Sequence, residues 1–419
     1  MSSSRRQFLA RSTALMFAPG LVAKGQAARP RVAFLGTEVR ALSHAQHFLD
    51  RMTLGYTWGG RWVAPRVEVA SIYIDQHPEG DLAPGRIARY GLKAFPTVEE
   101  ALTLGGSNLA VDGVVIIAEH GKYPKNEKGQ TLYPRYEFFK AAVKVFERSG
   151  RAVPVFNDKH LSTTWARCSE MVADSKRLGF PFLAGSSLPV TWRLPEFEMP
   201  MDTPLVESVC VGYGGIDSYD FHGLETAQCM SERRLGGESG IRRVRALKGP
   251  ALWEALAADD REGTRRLLVA GLNRSHNLPV ETAYPSDAVT FEWARKTFPE
   301  MLAYLIDHVD GFRTTLFLAA IRDFNYAGLT RDGRVLSCQM YLPMPTHGST
   351  TADFFNPLVR HIEDLVIDRK AVDPIERTLL TSGMVIAGVD SLHRGQVAVD
   401  TPEMAVAYRA PAESRFRRD

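Results

Sequence analysis

The stretches RVAFLG (residues 31–36) and VDGVVIIA (residues 111–118) decide the fold class that the sequence predicts. The first is a short apolar strand that ends in glycine, and residues 41–52 after it can form a helix. The second is apolar almost throughout, which is typical of a strand buried on both faces of a parallel sheet. Further strands are predicted at 67–75 and 153–156, and further helices at 85–90, 98–104 and 136–149. This alternation predicts a Rossmann-like, doubly wound parallel sheet within residues 28–160.

A different pattern begins near residue 205. Longer alternating segments without a helix between each pair predict a second, mainly antiparallel sheet, with strands at 206–211, 312–320 and 335–342. We expect a helical, charged insertion from Trp253 to Leu305, and two closing helices at 355–368 and 374–392. The fold class is therefore α/β with two domains. The second domain covers 161–419, and its C-terminal helices pack back between the domains.

Length and composition exclude several classes of protein. The chain has 419 residues, of which 45% are hydrophobic and 24% are charged, as in soluble globular proteins and unlike disordered, collagenous or polytopic membrane proteins. The cysteines are far apart and form no C-x-x-C pair, so we expect single buried thiols and neither a zinc ribbon nor a redox dithiol. They are Cys168, Cys210, Cys229 and Cys338.

The first 27 residues differ in charge from the rest of the chain. They contain four basic residues and no acidic one, whereas the whole chain has 51 basic and 48 acidic residues and a formal charge of +3. Residues 4–9 (SRRQFL), the apolar run at 14–23 and the small residues up to Ala27 resemble a twin-arginine signal peptide. We expect the twin-arginine export machinery as a partner and a periplasmic location. The apolar run is shorter than the ~20 residues that span a bilayer, and the near-neutral remainder does not indicate nucleic-acid binding.

Several local motifs occur in the order found in one enzyme family. Asp75 ends the second strand, and residues 111–118 follow as a buried third strand. Residues 157–160 (NDKH) come directly after another strand, and residues 217–225 read DSYDFHGLE. The segments 374–392 and 397–402 read as a closing helix and strand. In these motifs and their order, the chain resembles the Gfo/Idh/MocA family (glucose–fructose oxidoreductase, inositol dehydrogenase).

The resemblance implies an oxidoreductase that acts on a sugar, glycoside or polyol with a tightly bound NAD or NADP. Lys159 falls on the family's active-site lysine, His222 falls on its catalytic histidine, and Asp158 would orient the reacting oxygen. The predicted cofactor-binding residues are Gly36, Thr37, Arg40, Asp75, Glu119, His120 and Lys159. The predicted substrate-binding residues are Tyr123, Trp192, Arg193, Asp217, Asp220 and Glu225. Because families of this architecture often associate through the second sheet, the resemblance also implies a homo-oligomer.

The turn after the first strand departs from the family's pattern. It reads GTEVRA (residues 36–41) and keeps only the first glycine of the G-x-G-x-x-G fingerprint, whose glycines let backbone N–H groups approach a pyrophosphate. Glu38 puts a carboxylate where a diphosphate would lie, unless Arg40 offsets its charge. The family has a Glu-Lys-Pro signature around its active-site lysine. This signature is also altered here, since Asp158 and His160 flank Lys159 in place of Glu and Pro.

Histidines near the predicted strand ends leave two other functions open. Imidazoles titrate near neutral pH, and ligands of open α/β sheets bind beyond the carboxyl ends of the strands. Without a nucleotide, such a cleft can hold a divalent metal that polarises a sugar hydroxyl or carbonyl for lyase or hydrolase chemistry. The candidate metal ligands are His44, His47, His120 and His160. The third possibility is a carbohydrate-binding protein without catalysis that kept the fold.

Overall fold

The computed structural model describes residues 28–278, 288–342 and 352–418, so the predicted signal peptide at 1–27 lies outside the described residues. The N-terminal part is a five-stranded parallel sheet in the order β4-β1-β5-β6-β7. Its strands are β1 (Arg31–Gly36), β4 (Glu68–Ile74), β5 (Gly113–Ile117), β6 (Val155–Asp158) and β7 (Phe182–Gly185), and β2 (Tyr56–Trp58) and β3 (Arg61–Val63) form a separate hairpin. The helices of this part are α1 (His44–Leu54), α2 (Ala83–Tyr90), α3 (Val98–Thr103), α4 (Arg135–Ser149) and α5 (Trp165–Leu178).

The second part is built on an eight-stranded sheet in the order β15-β10-β11-β12-β9-β13-β14-β8. Neighbouring strands are antiparallel except for the parallel pair β12 and β9, which confirms the predicted fold class. Its strands are β8 (Trp192–Leu194), β9 (Leu205–Gly212), β10 (Ile241–Lys248), β11 (Leu302–His308), β12 (Arg313–Leu318), β13 (Asn325–Thr330), β14 (Val335–Tyr341) and β15 (Val399–Asp400). The helices are α6 (Tyr219–Ser231), α7 (Pro250–Leu256), α8 (Glu262–Leu272), α9 (Phe291–Thr297), α10 (Asn356–Asp368) and α11 (Ile375–His393).

The insertion predicted to be helical up to Leu305 ends in a strand instead. β11 begins at Leu302 and pairs with β10 on one side and β12 on the other. Its segment LAYLIDH is almost entirely buried, because a central strand is covered on both faces. Helices α7, α8 and α9 form the rest of the described insertion.

Helices cover both faces of the large sheet. On one face, α6 and α11 bury apolar side chains such as Leu224, Leu380 and Met384 against the strands. On the other face, α7, α8 and α9 do the same with side chains such as Trp253 and Leu268. The sheet is therefore an inner layer of the molecule.

Helix α11 connects the two sheets. Near its beginning, the Thr378 hydroxyl donates to the carbonyl of Ala184 in β7 (2.8 Å). Near its end, Ser391 Oγ accepts the N–H of Ala246 in β10 (2.9 Å). Helix α10 instead packs against α1, where Arg51 donates to Asn356 Oδ1 (2.6 Å). Helix α11 thus links the two sheets beside the functional site, while α10 packs on the N-terminal part.

The four cysteines are free and buried, as the sequence predicted. Among the described residues, no helix is both long enough and apolar enough to cross a membrane.

Candidate active site

The candidate site lies where the parallel strands end and α6 approaches from the second part. The strand order places the carboxyl ends of β1, β5, β6 and β7 beside one another. These ends carry His44, Glu119, the sequence 158–160 and Ser186, and α6 adds His222 opposite them. The convergence expected from the sequence is therefore present for these groups.

His44 is held by Asp158. Its Nδ1 lies 2.7 Å from the Asp158 carboxylate, which is 2% exposed. A carboxylate only accepts hydrogen bonds, so Nδ1 donates to Asp158 and Nε2 is the nitrogen left for another partner. The ring is fixed in place because Ser43 caps α1 at the preceding position by accepting the N–H of Gln46 (3.2 Å). Asp158 thus orients His44, whereas the sequence analysis assigned it to the reacting oxygen.

Lys159 forms a buried ion pair with Glu119. The two charged groups are 2.5 Å apart, and Arg135 lies 3.5 Å from the other carboxylate oxygen. Burial alone would raise the pKa of Glu119, but the positive charges of Lys159, His44 and Arg135 hold it well below its usual value. The backbone at Lys159 has a φ of 64°, and its N–H donates to the carbonyl of Gly185 (3.0 Å). This left-handed backbone turns the side chain into the site.

His222 is held by Ser186, which follows β7. The Ser186 hydroxyl lies 2.6 Å from His222 Nδ1 and also accepts the N–H of Leu188 (3.1 Å). Nε2 has no protein partner in the part of the chain that the structure describes. Burial, followed by the charges of Lys159 and His44, lowers the pKa of His222 well below its usual value. This imidazole is therefore neutral at physiological pH.

A cavity of about 290 Å³ opens beside these imidazoles. Its size is near the lower end of the ~300–1,000 Å³ typical of ligand sites, and its walls combine aromatic rings with a few polar groups. It is lined by Leu42, His44, His47, Ser187, Leu188, Tyr213, Tyr219, His222, Phe324, Leu342, Ala352, Phe354 and Phe355. We call it the central cavity. The ring centres of His44 and His222 are 6.4 Å apart, so both imidazoles can reach one small ligand in it.

The other predicted metal ligands lie near His44 but do not share a group of ligand atoms with it among the described residues. His47 stacks on Phe355 (5.1 Å), and burial, followed by Arg51 and His44, lowers its pKa to about 4. Burial also lowers the pKa of His120 to about 4. His160 is 1% exposed and is used by Arg135 and Asp217, at 3.0 and 3.4 Å. His47 and His160 are therefore used in packing and internal contacts, whereas the buried Nδ1 of His120 has no hydrogen-bond partner among the described residues.

One group of possible metal ligands does occur among the described residues. His44, Glu119 and Asp158 place ligand atoms within 4.8 Å of one another, so only His44 of the predicted metal set belongs to it. Lys159 already neutralises Glu119 in this group. The ammonium group of Lys159 thus already balances the carboxylate charge that a bound metal cation would otherwise balance.

The residues predicted to bind a nucleotide contact one another instead. Gly36 packs against β4, since a Cβ on it would lie 2.9 Å from the terminal methyl of Ile74. The Thr37 hydroxyl donates to the carbonyl of Glu119 (2.7 Å), and Arg40 pairs with Glu38 (2.8 Å). The oxygens of Asp75 accept the hydroxyls of Tyr73 and Tyr123. The residues at this edge therefore do not fit a dinucleotide.

Most residues predicted to bind substrate also have structural partners. Asp220 is fully buried and accepts N–H groups at the start of α6 and the Tyr304 hydroxyl (2.9 Å). Glu225 is 1% exposed and accepts the Thr381 hydroxyl. Asp217 accepts from Gln130 and from the N–H of Thr131. None of these carboxylates lines the central cavity.

Trp192 and Arg193, also predicted to bind substrate, lie on β8, an edge strand of the large sheet. The Arg193 guanidinium is 4% exposed, donates to the carbonyls of Phe197 and Pro189, and lies over the ring of Phe416. Trp192 pairs in register with Tyr341 of β14. Neither residue lines the central cavity.

Sequence reasoning missed three groups of the site. Arg135 at the start of α4 is 2% exposed and contacts both Glu119 and His160. Ser186 holds His222, and Phe355 packs edge-on against His44 (5.0 Å). A serine after a strand and an apolar pair at 354–355 carry no signal of their own, and only the fold brings them to the site.

The fold has counterparts among solved structures. The Rossmann-like parallel sheet followed by a mainly antiparallel second sheet is the fold that this chain shares with structures of inositol dehydrogenases. No protein-family model matches the chain, and no curated protein matches it in sequence.

Solved structures provide the individual likenesses. GenD2 from gentamicin A biosynthesis, solved in complex with NAD, is 14% identical, with a TM-score of 0.55 over 91% of this chain and 99% of that chain. Myo-inositol dehydrogenase from Lactobacillus casei, in complex with NAD(H) and myo-inositol, is 12% identical, with a TM-score of 0.51 over 89% and 97%. The apo scyllo-inositol dehydrogenase from Lactobacillus casei is 11% identical, with a TM-score of 0.51 over 89% and 98%. At these identities the likeness concerns the fold.

Proposed function

We propose that the chain is an exported enzyme that acts on a small carbohydrate or polyol by acid–base chemistry in the central cavity. The observation that carries the proposal is the pair of imidazoles on its wall, His44 and His222. Each is anchored through Nδ1, to Asp158 and Ser186, and each keeps Nε2 for a ligand. Two anchored imidazoles can take a proton from one position of a substrate and return one to another.

The surrounding groups suit a hydroxyl-bearing substrate. Neutral His222 can accept a hydroxyl proton, while the charge of Lys159 favours the oxyanion that develops. Lys159 Nζ is 6.0 Å from the ring of Tyr219, which lines the cavity, so its charge lies behind this wall. Glu119 keeps this ammonium in place. The aromatic wall formed by Tyr213, Phe324 and Phe355 offers an apolar surface to the C–H face of a ring.

A dehydrogenase reaction with tightly bound NAD(P) is the second candidate. The fold shared with dehydrogenases solved with NAD or NAD(H) supports it. The poor fit of the residues around Glu38 and Asp75 argues against it. The proton transfers proposed for His44 and His222 involve only side chains of this chain and do not depend on the nucleotide.

A turnover experiment tests the proposal. The exported protein is incubated in D₂O with a panel of monosaccharides and inositols, and NMR follows both product formation and deuterium incorporation. Inositols come first because one structural neighbour was solved with myo-inositol. We expect turnover that falls at least ~100-fold in His222→Gln and in His44→Gln, as for the loss of a general acid or base.

Controls separate this result from damage to the fold. His393→Gln, at the exposed end of α11, should keep wild-type turnover, and circular dichroism should show native helix content in all variants. Wild-type turnover in both site variants would place the chemistry elsewhere. Stoichiometric sugar binding with no turnover on any compound would favour the carbohydrate-binding protein. Recovery of the protein in the periplasmic fraction, lost on Arg5→Lys with Arg6→Lys, tests the export part.

A further inference from the structure

The edge of the parallel sheet formed by β1 and β4 is closed by the chain itself. In doubly wound folds, a dinucleotide at this edge needs free backbone N–H groups at the N-terminus of the following helix, here α1. It also needs a free hydrogen-bonding group at the end of the second strand, here β4, for the ribose. Each requirement can be checked against the contacts of this chain.

Several N–H groups before α1 and in its first turn are already used. The Arg40 and Gln46 N–H groups both donate to Ser43 Oγ (3.2 Å each). The Leu42 N–H donates to Gln46 Oε1 (2.7 Å), and the Ser43 N–H donates to the Arg40 carbonyl (3.0 Å). Ser43 is fully buried. A diphosphate would have to displace these side-chain acceptors one by one.

The charge of this turn opposes an anion. Glu38 places a carboxylate in the turn with only 8% of its side chain exposed, 2.8 Å from Arg40 Nε. Arg40 therefore neutralises a carboxylate of its own chain. A diphosphate here would bring two further negative charges beside a shielded carboxylate, where repulsion is stronger than in bulk water.

The group at the ribose end already has hydrogen-bond partners. Asp75 Oδ1 accepts the Tyr73 hydroxyl and Oδ2 accepts the Tyr123 hydroxyl, both at 2.6 Å. The amide of Gln76 exchanges two hydrogen bonds with the backbone of Lys122, at 2.9 and 3.1 Å. These contacts join the end of β4 to the loop of residues 118–134, which follows β5. We call this segment the closing loop.

The closing loop is also held from the second part of the chain. Gln130 Nε2 and the Thr131 N–H donate to Asp217, at 3.1 and 3.0 Å. Lys128 forms an ion pair with Asp390 on α11 (2.6 Å). Moving the loop away from Asp75 would therefore break contacts at both of its ends.

We infer that the chain takes up neither NAD nor NADP at the β1–β4 edge, and that the contacts there replace a nucleotide site with a structural junction. The central cavity then works without a nucleotide at this edge, which separates the two candidate reactions proposed above. In that case His44 and His222 act only on atoms of the substrate in the central cavity, and no hydride passes to a nucleotide.

Nucleotide binding to the wild-type protein tests the inference. Protein purified from its producing cells is denatured, and the released small molecules are identified by ultraviolet absorbance and mass spectrometry. The folded protein is also titrated calorimetrically with NAD⁺, NADH, NADP⁺ and NADPH up to millimolar concentration. We expect no released nucleotide and no binding heat, with a dehydrogenase known to bind NAD as the positive control for both measurements.

Release of about one nucleotide per chain, or saturable binding below millimolar concentration, would overturn the inference. Glu38→Gln with Tyr123→Phe provides a second arm, because it removes the charge and one cross-link while keeping similar volumes. Nucleotide affinity that appears only in this variant supports the inference that the contacts of Glu38 and Tyr123 exclude a nucleotide from the β1–β4 edge. Since neither measurement involves turnover, a bound nucleotide would not by itself contradict the proposed roles of His44 and His222.

Discussion

At the residue scale, Glu225 shows how strongly burial changes the pKa of a carboxyl group on α6, the helix that carries His222. It lies one helical turn after His222, and its carboxyl accepts the Thr381 hydroxyl at 2.5 Å. A Cβ on Gly185 would lie 2.7 Å from the same carboxyl, so no space for water remains on that side. Burial raises the pKa of Glu225 to about 7, although the charge of Arg377 acts in the opposite direction.

This pKa gives a pH dependence of stability with a definite sign. The folded-state pKa of about 7 is above the ordinary 4.5, so protonated Glu225 contributes to the free energy of unfolding. This contribution is fully present below pH 4.5 and is lost as the pH rises through 7. The total is about 3 kcal/mol, since each pKa unit corresponds to ~1.4 kcal/mol. Glu225→Gln should therefore gain about 3 kcal/mol relative to wild type between pH 4.5 and 8, measured by urea unfolding. Exposed Glu403→Gln is the control, and an equal gain there would contradict the assignment.

At the element scale, the sequence indicated the parallel strands well and the large sheet less well. β1 and β5 are apolar runs, and the structure places them where their patterns predicted. β10 was not predicted as a strand, because its sequence, IRRVRALK, contains four basic residues, all of which are exposed. β11 was assigned to a helix because its burial on both faces removes the alternation that marks a strand.

Helix α11 provides a prediction about packing. A Cβ on Gly388 would lie 2.4 Å from the ring of Tyr304, whose hydroxyl is fixed by Asp220. Gly388→Ala should destabilise the protein by about 1–3 kcal/mol, because the ring cannot move aside without losing that bond. Gly85→Ala in exposed α2, where a Cβ meets nothing within 4 Å, should instead stabilise it by ~0.4–1 kcal/mol. Thermal unfolding of both variants distinguishes the close contact from a general effect of replacing glycine, and equal shifts would contradict it.

At the scale of the whole molecule, the site depends on contacts between distant parts of the sequence. His44 and Asp158 are 114 positions apart, and Ser186 and His222 are 36 apart. The sequence could show that histidines and acids gather at strand ends, because strand ends can be read from local patterns. Which acid holds which histidine follows only from the strand order, and this is why the contact between Asp158 and His44 could not be predicted from the sequence.

The packing of the large sheet leads to a prediction about assembly. A homo-oligomer through this sheet was expected, but in the described residues α7, α8 and α9 already cover its outer face, where Leu252, Leu267 and Leu268 are fully buried. Stable interfaces bury ~1,200–2,000 Å² in total, and among the described residues the apolar side chains of this sheet face pack against those three helices instead. We therefore expect light scattering after gel filtration to give the mass of one chain at micromolar concentration. A mass of two chains, together with hydrogen-exchange protection of α8 and α9 that rises with protein concentration, would instead show that the helical layer itself forms the interface.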